Sequence, residues 1–209
     1  MHVLFVCNGN VCRSVIAERL ARAIAVECRL TGLTADSAGT RALVGFPVEP
    51  LAAETIAGLG ADPSNFRARK LKPEHIDRAD IVLAMTEQIR DQAAEMAFGA
   101  AARTFTLLEA HRIAKVTGAR TVADLHRARH DLALVGRENI ADPVGLSAHA
   151  YCEVGDRIAE TLLPLLLTLA AGMSEPPVDD PRPGLVLQPS AAPAPLSALL
   201  AAQRTGWYA

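Results

Sequence analysis

The apolar run His2-Val3-Leu4-Phe5-Val6 passes without a break into Cys7-Asn8-Gly9-Asn10-Val11-Cys12-Arg13-Ser14, and a helical pattern begins directly after it. This order of residues reads as a buried parallel strand handing over, through a short turn-forming loop, to the N-terminus of a helix. Such a junction attracts anions, because backbone N–H groups point outward from it and the helix dipole favours negative charge. It also carries a thiol and an arginine.

Five residues separate Cys7 from Arg13. That spacing lets the backbone curl into a cradle with the sulfur at its base, while the guanidinium closes in fork geometry over two oxygens of a tetrahedral oxyanion. Gly9 and Asn10 are residue types that tolerate the positive φ such a curl needs. A free cysteine has a pKa of about 8.5, and an electropositive helix N-terminus can lower it by several units. The expected outcome is a nucleophilic thiolate at Cys7, inside a phosphate-sized loop formed by Asn8, Gly9, Asn10, Val11, Cys12 and Arg13.

The rest of the chain alternates in the same way. Residues 2–6, 33–38, 79–85 and 103–106 are short apolar or β-rich runs, with helical patterns near 14–29, 50–60 and 87–97 between and around them. In the first helix Ile16, Leu20 and Ile24 recur every fourth residue, which puts Glu18, Arg22 and Arg29 on another face. The span 107–138 reads as mostly helical with a break at Thr117-Gly118, and residues 148–171 read as a last helix kinked at Pro164. The fold class is α/β with a four-stranded parallel sheet flanked by helices. His111, Arg112, His126, Arg127, Arg129 and His130 read as a solvated helix face rather than a basic rim around the site.

Composition sets the remaining bounds. A chain of 209 residues with 50% hydrophobic content fits one domain with a full core. A formal charge of −2 and a pI near 6.3 argue against general nucleic-acid binding. No stretch approaches about 18 uninterrupted apolar residues, and the first residues lack a basic segment followed by a cleavage signal. A cytoplasmic protein with no membrane partner is therefore expected. The four cysteines, Cys7, Cys12, Cys28 and Cys152, contain no Cys-x2-Cys unit, so neither a disulfide scaffold nor a metal site is expected. Cys28 and Cys152 read as small buried hydrophobes. Seven of the thirteen prolines fall after Gly172, which predicts a Pro/Ala-rich, disordered tail over 173–209 with at most a short docking helix around Leu196, Leu199, Leu200 and Trp207.

Taken in order, the motifs resemble one family. Val6-Cys7-x-Gly9-Asn10-x-Cys12-Arg13-Ser14 is similar to the anion loop of the low-molecular-weight protein tyrosine phosphatases. Asp36-Ser37-Ala38-Gly39-Thr40 resembles the end of that family's second strand. Arg67-Ala68-Arg69 with Ile81-Val82-Leu83-Ala84-Met85-Thr86 resembles the approach to its third strand, and Asp142-Pro143 resembles its general-acid loop. The resemblance covers residues 1–172 and implies a Rossmann-like phosphotyrosine phosphatase I fold, a phosphorylated protein as substrate, and no cofactor or metal.

The roles implied are specific. The Cys7 thiolate attacks phosphorus in line, Arg13 and the loop amides hold the equatorial oxygens, and Asp142 protonates the departing oxygen and later activates water. Ser14 donates its hydroxyl to the Cys7 sulfur, or else is a plain helix N-cap. Asn10 and Ser37 match the family's loop-bracing pair, and Cys12 is the expected disulfide partner of Cys7 on oxidation. The chain departs from the family pattern at Val15, where proline is usual, and at Phe66, which stands in place of a buttressing histidine. Leu43 and Val144 replace aromatic pocket walls. Two alternatives share the loop: a thioredoxin-coupled arsenate reductase, whose additional cysteine pair is missing from residues 84–100, and a non-catalytic phosphate-binding module.

Overall fold

The computed structural model describes residues 1–129 and 139–174. His130 and the end of the 107–138 span lie outside the described residues, and so do most of the 173–209 tail and the four residues of its expected docking helix.

Four parallel strands form one sheet in the order β2-β1-β3-β4: β1 (His2–Cys7), β2 (Thr34–Gly39), β3 (Ile81–Ala84) and β4 (Thr104–Thr106). The helices are α1 (Arg13–Glu27), α2 (Pro50–Gly58), α3 (Pro73–Asp77), α4 (Glu87–Glu95), α5 (Leu107–Thr117), α6 (Val122–Arg129) and α7 (Ala148–Ser174). The expected α/β architecture is therefore present. Successive β1 side chains enter two separate cores: Val3, Phe5 and Cys7 pack with α1 and α7, whereas Leu4 and Val6 pack with Ile76, Val82 and Ile89 on the other face. This double burial explains why the strand reads as a continuous apolar run.

The strand order reverses at β1, which pairs with β2 on one side and with β3 on the other. In open parallel sheets the crevice beyond the carboxyl end of a strand at such a switch point is where ligands bind. Cys7 is the last residue of that strand.

Local chemistry sets the element ends. Arg29 takes φ 52° and Leu30 N–H donates to Ala25 O at 2.9 Å, closing α1 in a Schellman arrangement. Thr106 and Glu109 cap α5 reciprocally, and Gly118 at φ 73° ends it at the expected break. The five-residue α3 escapes sequence reading because it is too short to show a period. Pro164, where the sequence suggested a kink, lies inside one continuous helix. It sits on the exposed side of α7 while Ile158, Leu162, Leu165, Leu166 and Leu169 are buried, so tertiary packing offsets the missing hydrogen bond.

Other expectations about the surface fail. Cys152 is exposed and Cys28 half-buried; each lies at the edge of its helix's buried stripe. Arg129 is no solvated charge: its guanidinium lies 3.9 Å over the Phe105 ring and pairs with buried Glu109 at 2.8 Å. No helix among the described residues is long and apolar enough to cross a membrane.

Candidate active site

Residues 7–13 form a tight loop whose carbonyls are drawn outward by the segment 40–49. Cys7 O accepts from Thr40 N–H at 3.0 Å, Asn8 O from Arg41 at 2.9 Å, Gly9 O from Leu43 at 3.0 Å and Val11 O from Glu49 at 2.9 Å, while Cys12 O accepts from Ile16 within α1 at 2.9 Å. In a planar trans peptide the N–H points opposite to its carbonyl. The amides of Asn8, Gly9, Asn10, Cys12 and Arg13 are thereby turned toward the side of the sulfur, and Asn10 N–H does lie 3.2 Å from Cys7 Sγ. The curl rests on Asn10 at φ 54°; Gly9 stays out of the left-handed region, so one residue rather than two supplies the turn.

Gly39 is paired with Cys7 in the β1–β2 register. A Cβ there would sit 2.4 Å from Asn8 O and 3.0 Å from Asn10 N, so only glycine lets the second strand approach the loop this closely. Gly39→Ala is expected to cost about 1–3 kcal/mol of stability, as overpacking does. It should lower kcat on an aryl phosphate at least about tenfold at a temperature where the variant is still folded, because Asn8 must move. Thermal melts with steady-state assays check this, and an active variant with an unchanged melt would refute it.

Around the sulfur the side chains are buried and connected. Cys7 Sγ is 2.9 Å from Ser14 Oγ; Asn10 Nδ2 donates to Ser14 Oγ at 3.0 Å and to Ser37 Oγ at 2.9 Å. Ser14 lies inside α1 and makes no cap: the N-cap is Cys12, whose side chain forms no capping bond. Asn10 Oδ1 accepts from Arg69 N–H at 2.8 Å, and Arg69 Nε donates to Ser37 O at 2.7 Å. These bonds brace the loop without a histidine at position 66. Phe66 itself is buried beneath Arg19, whose guanidinium lies 5.6 Å from the ring centre.

Glu18 is the residue that sequence reading missed. It was expected on a different face from Ile16, Leu20 and Ile24, yet it is 4% exposed and accepts from Ser37 Oγ at 2.6 Å. The only hint of this was its place one turn beyond Ser14 on the same helix, and the buried stripe of α1 is wider than Ile16, Leu20 and Ile24.

Arg13 is 5% exposed; its Nη1 donates to Ile140 O at 3.1 Å and its Nη2 to Asp142 Oδ2 at 2.5 Å. Asp142 comes from a segment pinned to the end of β3, where Ile140 N–H donates to Met85 O at 2.8 Å and Asn139 Oδ1 accepts from Glu87 N–H at 2.7 Å. Asn139 carried no motif that would single it out. Cys12 is buried beside Cys7; burial pushes its thiol up, the neighbouring Cys7 adds to this, and Arg13 pulls the other way. Burial pushes up the phenol of Tyr151, at the start of α7, and the neighbouring Cys12, Glu49 and Asp142 add to this. Among the described residues no group of three or more His, Cys, Asp or Glu side chains converges on a metal-sized site.

Leu43 and Val144 are both exposed, as is Phe46 in the same loop as Leu43. Phe46 N–H donates to Leu43 O at 3.0 Å, so an aromatic ring stands in the segment that hydrogen-bonds to the anion loop, three residues from where the alignment of motifs placed the missing wall.

The YwlE arginine phosphatase from Geobacillus stearothermophilus is 31% identical and superposes with a TM-score of 0.60, covering 82% of this chain and 92% of that one. A YwlE arginine phosphatase variant with a phosphorylated active-site serine gives 27% identity and a TM-score of 0.63, covering 84% and 97%. The probable low molecular weight protein-tyrosine-phosphatase EpsP of Ralstonia solanacearum is 42% identical over 83 residues, 40% of this chain and 54% of that protein. The chain thus spans about half the length of that curated relative. The low molecular weight phosphotyrosine protein phosphatase model matches residues 2–175, which takes in every strand, the anion loop and the Asp142 segment, and the chain belongs to that family.

Proposed function

We propose that this chain is a protein phosphatase that works through a cysteinyl-phosphate intermediate, formed by residues 1–172 as the catalytic domain and acting in the cytoplasm. The observation that carries this reading is the position of the Cys7 sulfur at the base of an amide-lined loop, with a hydroxyl at 2.9 Å and an arginine–carboxylate pair at its mouth.

In the first step the sulfur lone pair forms the S–P bond while the P–O bond to the substrate breaks, and Asp142 gives its proton to the departing oxygen. Arg13 and the loop amides neutralise charge on the three equatorial oxygens. In the second step Asp142, now a carboxylate, takes a proton from water as it attacks phosphorus, and the thiolate leaves with inorganic phosphate released. A hydroxyl donor at Ser14 favours the thiolate in both steps. Under peroxide, Cys12 is the nearest partner in sequence for capturing Cys7 as a disulfide.

Two phosphoryl substrates fit the family. Relatives are named for tyrosine and for arginine, and the arginine phosphatases are among the structural neighbours that cover most of this chain. With Leu43 and Val144 exposed at the mouth, phosphotyrosine is expected to be hydrolysed with a raised KM. Val144→Tyr should lower that KM a few-fold, about the worth of one aromatic contact. Matched phosphotyrosine, phosphoserine and phosphoarginine peptides, with arsenate beside them, test the reading. Greater activity on phosphoarginine moves the substrate but keeps the mechanism; arsenate reduction without hydrolysis overturns it.

A further inference from the structure

We infer that the exposed cations Arg41, Arg67 and Lys70 form a docking surface beside the anion loop for an acidic stretch of the substrate protein, next to its phosphorylated residue. The inference rests on the phosphatase reading above and names the kind of phosphoprotein it acts on.

The surface comes from two segments of one-sided composition. The chain carries a formal charge of −2 with 23 Asp and Glu, yet residues 39–48 and 64–73 together hold five Arg or Lys and no Asp or Glu. Backbone bonds join the two segments. Gly39 N–H donates to Arg69 O at 3.0 Å and Leu71 N–H to Gly39 O at 2.8 Å; Gly45 N–H donates to Ala68 O at 2.8 Å and Ala68 N–H to Phe46 O at 2.9 Å. The first segment is also the one whose Thr40, Arg41 and Leu43 amides hold the carbonyls of Cys7, Asn8 and Gly9. Arg41 is therefore one backbone hydrogen bond away from the loop that takes the phosphoryl group. Lys70 is bridged to Gly39, the register partner of Cys7.

Not all five charges are free. Arg69 pairs with Asp36 at 3.1 Å, and Lys72 leads into α3, whose first turn carries Glu74. Arg41, Arg67 and Lys70 are exposed, and none of them forms an ion pair with a described residue. Arg67 Nη1 gives a hydrogen to its neighbour's carbonyl, Phe66 O, at 2.9 Å and leaves the rest of the guanidinium fork open. The next acids along the chain are committed elsewhere: Glu49 accepts from Ala52 N–H in α2 and Asp62 from Ser64 N–H. The other segment that reaches the site, residues 143–148, carries no charge.

A phosphoryl group seated on Arg13 and the loop amides leaves these three cations to whatever flanks it. Clustered charge of one sign beside a site draws in and orients a partner of the opposite sign. Exposed Phe46 lies on the same surface and offers apolar contact between the charges. An acidic peptide fits better than a nucleic acid, which needs many phosphate contacts, because only three cations are free and the chain as a whole is acidic.

The test compares kcat/KM at low salt for phosphotyrosine peptides that are identical except for flanking Glu, Gln or Lys, with phosphoarginine versions beside them. Glu flanks should exceed Gln flanks about three- to tenfold, through KM, the scale of two or three exposed ion pairs, and Lys flanks should fall below both. Salt at about 0.5 M should remove most of the difference. Arg67→Gln combined with Lys70→Gln should lose most of the Glu-over-Gln ratio while the rate on p-nitrophenyl phosphate is unchanged; Arg67→Gln alone should lose part of it and stands in if the double variant does not fold. Equal kcat/KM on Glu and Lys flanks, a preference that survives the double substitution, or an equal loss on the small phosphate overturns the inference. So does a chain indifferent to flanks but faster on every peptide once Arg67 and Lys70 are neutralised, which would put an acidic stretch of the chain itself, such as Asp179-Asp180, on the surface. Failure of the phosphatase reading shows separately, as hydrolysis of no peptide. Calorimetric binding of the same peptides then reads the surface: the same ratio in Kd supports it, and equal Kd overturns it.

Discussion

Replacing Cys7 with serine abolishes turnover of aryl phosphates and leaves oxyanion binding measurable. The substitution removes the sulfur, but the loop is held by the bonds from residues 40–49 to its carbonyls, and none of these involves the Cys7 side chain. The amides and Arg13 therefore stay where they are. A serine hydroxyl is a far weaker nucleophile than a thiolate and, once phosphorylated, a far poorer leaving group, so any phosphoryl group it accepts is retained. The YwlE variant whose active-site serine is phosphorylated shows that family members can stop at that stage. In this chain the expected results are no detectable steady-state release of phosphate, competitive binding of inorganic phosphate or vanadate by calorimetry, and, in the unmodified chain, a cysteinyl phosphate trapped by rapid acid quench. Hydrolysis undiminished by the substitution would place the nucleophile elsewhere.

Much of this was legible in the chain because strand, loop and helix follow one another within the first residues. Val3, Leu4, Phe5 and Val6 alternate between two cores, and a run buried on both faces has no polar positions to confuse its reading. Cys7, Arg13, Ser14 and Asn10 lie within eight residues of one another, so local spacing was enough to bring them together. Ser37 and Asp142 come from distant segments, and only the family order pointed to them. What sequence could not supply was the burial of single polar residues. Glu18 is of a type usual at solvated helix positions, and its burial becomes visible only when β2 is laid beside α1 and Ser37 meets it at 2.6 Å. Phe66 looked like the loss of a brace, yet the Asn10 side chain takes its bond from a backbone N–H, which any residue but proline provides at position 69. Backbone hydrogen bonding of this kind leaves no trace in residue identity.

Removal of the Asp142 carboxylate should slow the chemistry and tighten the binding of anions at once. Asp142 Oδ2 lies 2.5 Å from Arg13 Nη2, so the guanidinium that is to receive phosphate oxygens first gives one of its arms to the acid. A dianion entering the loop offers Arg13 a bidentate partner and sets Asp142 free toward the leaving group, while the segment stays anchored through Asn139 and Ile140. Asp142→Ala removes that competitor, and inhibition by inorganic phosphate should therefore strengthen. It also removes the proton donor, which is worth about 10² to 10⁴ in kcat where the departing oxygen is strongly basic. Along a series of aryl phosphates, the loss should be largest for the phenols of highest pKa and should shrink for nitrophenols, whose oxygens leave without a proton. Plotting log kcat against leaving-group pKa then gives a steep negative slope for the variant and a shallow one for the unmodified chain. Equal losses across the series, with phosphate binding unchanged, would mean that Asp142 only holds Arg13 in place and that the proton comes from another group.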